Sequence, residues 1–561
     1  MADLPDFLAS ATIAFVSMEI AIEPEMKCYS GGLGVLAGDF ARAAADLRLP
    51  MVFVTLASRE GYVRQIMDRE GNQLDTPDPW NPADWATPLD PVVDVLIDGR
   101  AVAIRGWLRK IAGASGASIA VLLLDTDLPQ NTPEDRALTG RLYGGDTRYR
   151  LRQEAVLGIG TPRLLHALGV AARRWHLNEG HAALLPLELV HAGASVEAVR
   201  EATVFTTHTP VAAGRDRFDW ALTQAVLGLD RSRTLQRVMG EADELDMTRL
   251  ALRLSSYANA VSRRHRDTAR ELYPEAEIAS VTNGVHGGRW APPAMAAMFD
   301  AKVPGWRVNS ARLAAIAELD PVNVGEAHAS ARAALIAEVA ARTGLALDPE
   351  RPILCYARRM TGYKRPMLPL EDPDRLRAIA RRHPFTLLFA GKAHPNDGDG
   401  KAAIARISAF AKSCGGDLTV AFLEDYGLEL AGRLVTGADV WLNLPVPPLE
   451  ASGTSGMKAA LNGGLNVSTP DGWWLEGCRE GLNGWTVGRP DSRPEEHGSL
   501  LLQLLEDQVL PCWYEDRPRW QRMMRDAVAT IGAAFGADRA MREYARNAYR
   551  IDEDASEIRR L

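Results

Sequence analysis

The sequence predicts an α/β protein built on doubly wound, mostly parallel sheets. Short apolar, β-rich runs alternate with longer Ala/Leu/Arg-rich segments of helical period. In the second half the apolar runs are nearly continuous, as parallel strands buried on both faces require. Most of the unusual polar residues follow directly after a predicted strand, at the edge where open α/β sheets bind ligands. The 561 residues exceed what one core organises, since single cores stop growing near ~250–300 residues, so at least two domains are expected.

In the first half the predicted strands are Thr12–Val16, Met51–Thr55, Ile119–Leu124, His176–Leu177, Val204–Thr207 and Ser280–Val281. In the second half they are Ile353–Ala357, Thr386–Ala390, Leu418–Leu423, Val440–Leu444 and Leu465–Val467. Helical period covers Val35–Leu47, Asp374–Arg382 and Gly400–Ser413. RWAPPA and VPGW, between Trp290 and Trp306, interrupt the pattern, and an Ala-rich helical stretch, Ala311–Thr343, follows. The expected domains are 1–305, 306–515 and a helical C-terminal segment, 516–561, packing back on the first domain.

Composition narrows the function. An apolar fraction of 47% and a charged fraction of 24% are ordinary for a globular protein. A net charge of −8 argues against a nucleic-acid or anionic-membrane partner, which needs a basic face. Cys28, Cys355, Cys414, Cys478 and Cys512 are odd in number and widely spaced, with no C-x-x-C pair, so neither a disulfide framework nor a zinc site is expected. Asp3 and Asp6 stand where a signal peptide carries basic residues, and no apolar run is long enough to span a bilayer. The expected location is the cytoplasm.

Six segments carry candidate chemistry. Ser30-Gly-Gly-Leu-Gly34 opens a helical run, and its glycines fit an anion cradle or a plain turn equally. Glu450-Ala-Ser-Gly-Thr-Ser-Gly-Met-Lys458 follows a strand and its Pro-rich exit. The Walker A spacing fails there; Lys458 beside glycines and hydroxyls suits a Schiff base with pyridoxal phosphate, or the loop is an ordinary capped helix. Arg358, Arg359, Lys364 and Arg365 crowd within eight positions after Ile353–Ala357, and in an acidic protein such crowding suggests a phosphate site. His208 ends a strand, where a structural role competes with a catalytic one. Asn178, Glu179 and His181 lie at a strand-to-helix turn and fit capping as well as function; His176 and His181 lack helical zinc spacing, so no metal is expected. Asn283-Gly284 marks a tight turn that could present an amide to a sugar hydroxyl.

Together these segments resemble the α-glucan (glycogen/starch/maltodextrin) phosphorylases, in their short bacterial and archaeal branch. The resemblance runs in order from about Phe15 to Trp485. It is most specific in EASGTSGMKAALNGGLNVSTPDGWW (Glu450–Trp474), with further matches in LYGGDTRYRLRQE (Leu142–Glu154) and FTTHTPVAAG (Phe205–Gly214). It implies a GT-B type fold of two Rossmann-like lobes with an interlobe active site. It also implies retaining phosphorolysis, releasing glucose 1-phosphate from the non-reducing end of an α-1,4-glucan. By motif, Lys458 corresponds to the lysine that carries pyridoxal 5′-phosphate, and Thr454, Ser455 and Gly456 to the cofactor-phosphate loop. Arg359, Lys364 and the Gly31, Gly32 and Leu33 segment correspond to the substrate-phosphate site. His208 matches the histidine on the glucosyl unit, and Asn283, Glu450, Ala451, Ser452 and Gly453, with Glu179 available, match the glucose pocket. In the family the cofactor phosphate exchanges a proton with substrate phosphate, so no catalytic carboxylate pair is nominated. A homodimer is the family expectation.

The sequence departs from the long animal and plant enzymes. Arg358 stands where they have lysine, which makes it a clamp on the cofactor phosphate and no proton donor. Ser455-Gly456 replaces Gly-Asn. Phe15–Glu19 already reads as a core strand, so an N-terminal regulatory extension is not expected. The competing readings are a nucleotide-sugar glycosyltransferase of the same fold, which would not need the Lys458 linkage, and a non-catalytic glucan-binding protein.

Overall fold

Ile13–Ser17 is buried at every position, as a run without alternation must be when both faces of its sheet are covered. This strand, β1, is the centre of the first sheet. The computed structural model describes residues 4–210 and 215–551 and divides into two units. The first comprises Met1–Tyr62, Pro77–Thr282 and Ala540–Leu561; the second comprises Val63–Thr76 and Asn283–Arg539.

The first unit adds β2 (Met51–Leu56), β3 (Thr87–Ile97), β4 (Arg100–Ala112), β5 (Ser118–Asp125), β6 (Arg174–Asn178), β7 (Thr203–Thr206), β8 (Tyr257–Ala260) and β9 (Ala279–Ser280). Their order is β9-β8-β7-β6-β1-β2-β5-β4-β3. Pairing is parallel except where β4 meets β3 and β5. Order reverses between β1 and β6, the switch point at which loops diverge and leave a crevice. The β3–β4 hairpin escaped the sequence reading because β3 alternates exposed and half-buried positions and carries Pro88 and Pro91, which demote a run from strand status.

The second unit holds β10 (Ile353–Ala357), β11 (Phe385–Ala390), β12 (Leu418–Leu423), β13 (Val440–Asn443), β14 (Leu465–Ser468) and β15 (Gly484–Thr486). All pairs are parallel, and the order β12-β11-β10-β13-β14-β15 is the doubly wound order with its switch point between β10 and β13. The small hairpin Arg64–Met67 with Gln73–Thr76 belongs to this unit. Gln65 Nε2 donates to Gly391 O at 3.0 Å and Gln73 Nε2 to Ala393 O at 2.9 Å.

Where the sequence analysis expects a boundary at 305–306, the two compact units divide at 282–283. Val285 N–H donates to Phe535 O and Ala537 N–H to Val285 O, both at 2.9 Å, so the chain joins the second unit well before the Pro-rich interruption. The expected segment 516–561 is likewise divided: residues to Arg539 belong to the second unit, and those from Ala540 to the first. There Tyr549 Oη and Thr206 Oγ1 bracket the two His176 ring nitrogens at 2.7 and 2.8 Å. Ala311–Thr343 is not one helix. A 3-10 stretch, Ser310–Glu318, precedes the helix Pro321–Thr343, because Pro321 fits a first turn and not a helix interior. Among the described residues no helix is long and apolar enough to cross a membrane.

Candidate functional site

In the second unit, the loops leaving β10 and β13 flank the switch point, and nearly all the predicted cofactor and phosphate residues lie on them. Arg358 Nη2 donates to Glu450 Oε2 at 2.9 Å, and Lys364 Nζ donates to the same oxygen. Glu450 N–H in turn donates to Asp471 Oδ2 at 2.8 Å, which fixes the loop. Burial pushes the Glu450 carboxyl up, but Lys364 and Arg358, with Arg359 adding to the field, hold it down at about 2. Burial and the Arg358 charge pull the Lys364 ammonium below its usual value. One carboxylate thus faces more than one cation. Arg358 Nε and Nη1 are buried with no hydrogen-bond partner among the described residues. Buried donors without acceptors are costly, and a guanidinium edge in that state suits an anion with several oxygens.

Lys458 lies on the helix Ser455–Leu461 and is 5% exposed. Its Nζ sits 4.1 Å from the centroid of the Trp290 ring. Asn462 Nδ2 donates both to Trp290 O at 2.9 Å and to Lys458 O at 2.8 Å, holding the indole beside the amine. The turn before the lysine is tightly packed. A Cβ on Gly456 would lie 2.2 Å from Asn466 Oδ1 and 2.7 Å from Asn443 Nδ2, so only glycine fits. Asn466 Nδ2 donates to Gly456 O at 2.9 Å, and Trp441 Nε1 donates to Ser455 Oγ at 3.0 Å. Gly453 has φ +80°, a conformation that favours glycine. Thr454 occupies the N-cap position, yet its side chain makes no capping bond, which leaves the hydroxyl uncommitted to the helix. Ala451 and Ser452 complete the loop, with Ser452 O accepting from Trp473 N–H at 3.1 Å. Asn283 is 5% exposed and its Oδ1 is buried with no hydrogen-bond partner among the described residues.

In the first unit the loops after β1, β6 and β7 carry the other predicted residues. Glu19, just beyond β1, accepts from Ser30 N–H at 2.6 Å, Gly31 N–H at 3.0 Å and Tyr143 Oη–H at 3.0 Å. The sequence analysis expects Gly31 N–H to cradle substrate phosphate; in the structure that N–H donates to Glu19. Gly32 and Leu33 open the helix Gly32–Asp46, where first-turn N–H groups have no intrahelical acceptor. A Cβ added at Gly31 or Gly32 would meet nothing within 4 Å among the described residues, so their packing does not demand glycine at either position.

His208 Nε2 lies 2.7 Å from Asn178 Oδ1. Asn178 Nδ2 donates to Ser17 Oγ at 3.0 Å, which turns Oδ1 toward the ring, so His208 donates from Nε2. Burial, with the imidazoles of His265, His176 and His181 nearby, lowers the His208 pKa to about 3; the ring is neutral near pH 7. Glu179 was expected on the glucose pocket. Its Oε1 instead accepts from Gly180 N–H at 2.9 Å, and its Oε2 from His208 N–H at 2.8 Å and Thr209 Oγ1 at 2.9 Å. The carboxylate is spent on pinning the His208 segment, from a backbone held at φ +79°, a strained region for a side chain of this kind. Val211–Gly214 of the expected match lies outside the described residues.

The sequence reading missed Glu19, Tyr143, Asn443, Asn466, Trp290 and Trp473. For Glu19 and Asn466 a signal existed: Glu19 follows a core strand at its carboxyl end, and Asn466 interrupts an apolar strand buried at every position. The aromatic partners carry no such signal, since a buried tryptophan reads as core.

Comparison with known proteins gives the family. A family model described as carbohydrate phosphorylase matches residues 215–480. Maltodextrin phosphorylase of Thermococcus litoralis is 34% identical over 95% of this chain and 70% of its own length. Glycogen phosphorylase of Mycobacterium tuberculosis is 35% identical over 96% of this chain and 70% of its own. Glycogen phosphorylase of Aquifex aeolicus is 34% identical over 96% and 86%. With a buried lysine and a cation cluster at one sheet edge and likeness of this extent, the chain belongs to the carbohydrate phosphorylase family.

Proposed function

We propose that this protein is a pyridoxal phosphate-dependent α-1,4-glucan phosphorylase that releases glucose 1-phosphate from the non-reducing end of a glycogen- or maltodextrin-like chain. The observation that carries the reading is a buried amine, Lys458, on the same sheet edge as two cations, Arg358 and Lys364, that share the single carboxylate of Glu450. The residues fit the cofactor: the Lys458 amine would bind its aldehyde, while Thr454, the N–H groups around Ser455 and Gly456, and the unpartnered edge of Arg358 would take its phosphate. When bound, the cofactor supplies a phosphate group able to exchange a proton at neutral pH with the substrate phosphate.

The chain's own residues then have distinct tasks. Lys364 and Arg359 bind substrate phosphate and offset the repulsion between two phosphates, which would otherwise oppose binding strongly. Gly32 and Leu33, in the first unit, offer first-turn N–H groups suited to an anion. Neutral His208 offers hydrogen bonds to the glucosyl unit without adding a charge that would oppose a developing oxocarbenium. Asn283 brings an unpaired amide oxygen suited to a sugar hydroxyl, and Ser452 and Gly453 line the glucose-reading loop. Glu450 has two states in this reading: it pairs with Lys364 and Arg358 when no anion is bound, and it accepts from glucose hydroxyls once phosphate takes over those cations.

The test is phosphorolysis of maltodextrins of graded length, with glucose 1-phosphate as readout, alongside the visible spectrum of the purified protein. The expected result is phosphate-dependent release and a cofactor chromophore, both lost in Lys458→Ala. A colourless protein that elongates glucan from a nucleotide sugar, or one that binds glucan without releasing sugar phosphate, overturns the reading.

A further inference from the structure

The β10 loop carries a fourth cation, Arg365, whose placement sets it apart from its neighbours. Its backbone is left-handed, at φ +54°, and this turns the side chain onto the protein. Arg365 Nε donates to Leu444 O at 2.8 Å, Nη2 to Pro445 O at 2.8 Å, and Nη1 to Pro494 O at 3.1 Å. Nη2 also lies 2.9 Å from His497 Nδ1. A guanidinium only donates, so His497 accepts through Nδ1. His497 is fully buried, and burial with the Arg365 charge keeps its pKa low.

We propose that Arg365 is a positioning residue that holds Lys364 in place by joining three segments: the β10 loop, the exit of β13, and the stretch after β15. Proline explains why a fork is needed. Pro445, Pro447, Pro448 and Pro494 have no N–H to donate, so the β13 exit cannot be tied to the β10 loop by a full backbone ladder. Tyr363 O accepts from Val446 N–H at 2.8 Å, and Lys364 O accepts from Tyr356 Oη–H at 2.8 Å. Arg365 continues that row with side-chain donors. Lys364 thus sits between a tethered carbonyl and a tethered guanidinium, with its ammonium directed at Glu450. Arg365, with its donors occupied by carbonyls and an imidazole, is not a ligand for phosphate, contrary to what its place in the sequence cluster suggests.

This inference rests on the phosphorylase reading, and the experiment separates the two. The holoenzyme is assayed with phosphate and maltodextrin varied independently in wild type, Arg365→Met, Arg365→Lys and His497→Leu. Arg365→Met is expected to raise KM for phosphate about tenfold while KM for glucan stays within about twofold, since displacement of a positioned charge falls on the group it binds. Arg365→Lys recovers little, because one ammonium cannot reach acceptors spread around a planar fork. His497→Leu, which removes one acceptor of the four, gives a smaller rise in the same constant. If Arg365→Met does not fold, His497→Leu decides. A folded variant with unchanged KM for phosphate, or equal rises in both KM values, overturns the proposal. Absence of phosphorolysis in wild type overturns the phosphorylase reading itself.

Discussion

Replacing Glu450 by glutamine tests the electrostatics of the cation cluster directly. In the wild type without ligand, Lys364 and Arg358 share one Glu450 oxygen, and the carboxyl sits at about 2. Against an ordinary glutamate near ~4.3, that depression corresponds to roughly 3 kcal/mol of folded-state stabilisation. The sign follows from the direction of the shift: the contribution is present above about pH 4.3 and is lost as pH falls toward about 2. Removing one partner of a buried ionic group costs about 3–5 kcal/mol by experience elsewhere, so the two routes agree. Glu450→Gln leaves both cations buried without a counter-charge. For a unit of this size the thermal midpoint should fall by roughly 6 °C. Inorganic phosphate should restore it, because an anion bound at 100 times its Kd returns about 2.7 kcal/mol. The assay is thermal unfolding of wild type and variant, with and without phosphate, chloride held constant. Equal stability of the two proteins in the absence of phosphate, or an identical phosphate effect on both, would refute the argument that Glu450 balances the cations.

Two further outcomes follow from the first unit. Gly32→Ala should leave the thermal midpoint unchanged or slightly raised, because a Cβ there meets nothing within 4 Å and alanine is the better helix former by about 1 kcal/mol; the same change should weaken phosphate binding by isothermal titration, and retained affinity would show that the open space is not reserved for the anion. Acid should loosen the sheet near β6 and β7 well above the range of carboxylate titration. Burial holds His176 and His208 at about 3, so an unfolded chain binds protons near pH 6.5 that the folded one refuses; stability present at pH 7 should decline by roughly 2 kcal/mol per histidine by pH 5. Hydrogen exchange over residues 174–178 and 203–207, compared at pH 7 and pH 5 after correction for intrinsic rates, checks this, and unchanged protection contradicts it.

The sites were unevenly legible. EASGTSGMK and the arginine–lysine cluster stand out in the sequence because their chemistry is local: glycines, hydroxyls and cations packed into a few positions after an apolar strand. Glu179 and Arg365 have partners that the sequence does not reveal, for a common reason. Each lies among residues of the expected type, but its hydrogen bonds go to segments distant in sequence or to backbone groups that no composition reveals. The Gly31 N–H meets Glu19 from the start of the same loop after β1, an approach that only the folded loop shows.

By itself the sequence determined β1, β2, β5, β6, β7, β9 and β10 to β14, and the residue types gathered at the strands' carboxyl ends, because burial and local conformational preference act over a few neighbouring residues; it did not show β3, β4, β8 or β15, nor the antiparallel pairing of β4. Only the tertiary structure decided the division of the chain at residues 282–283, the capture of the hairpin 63–76 by the second unit, and which polar groups are already satisfied. Those outcomes depend on hydrogen bonds between residues tens to hundreds of positions apart, and a one-dimensional pattern does not encode which donor meets which acceptor.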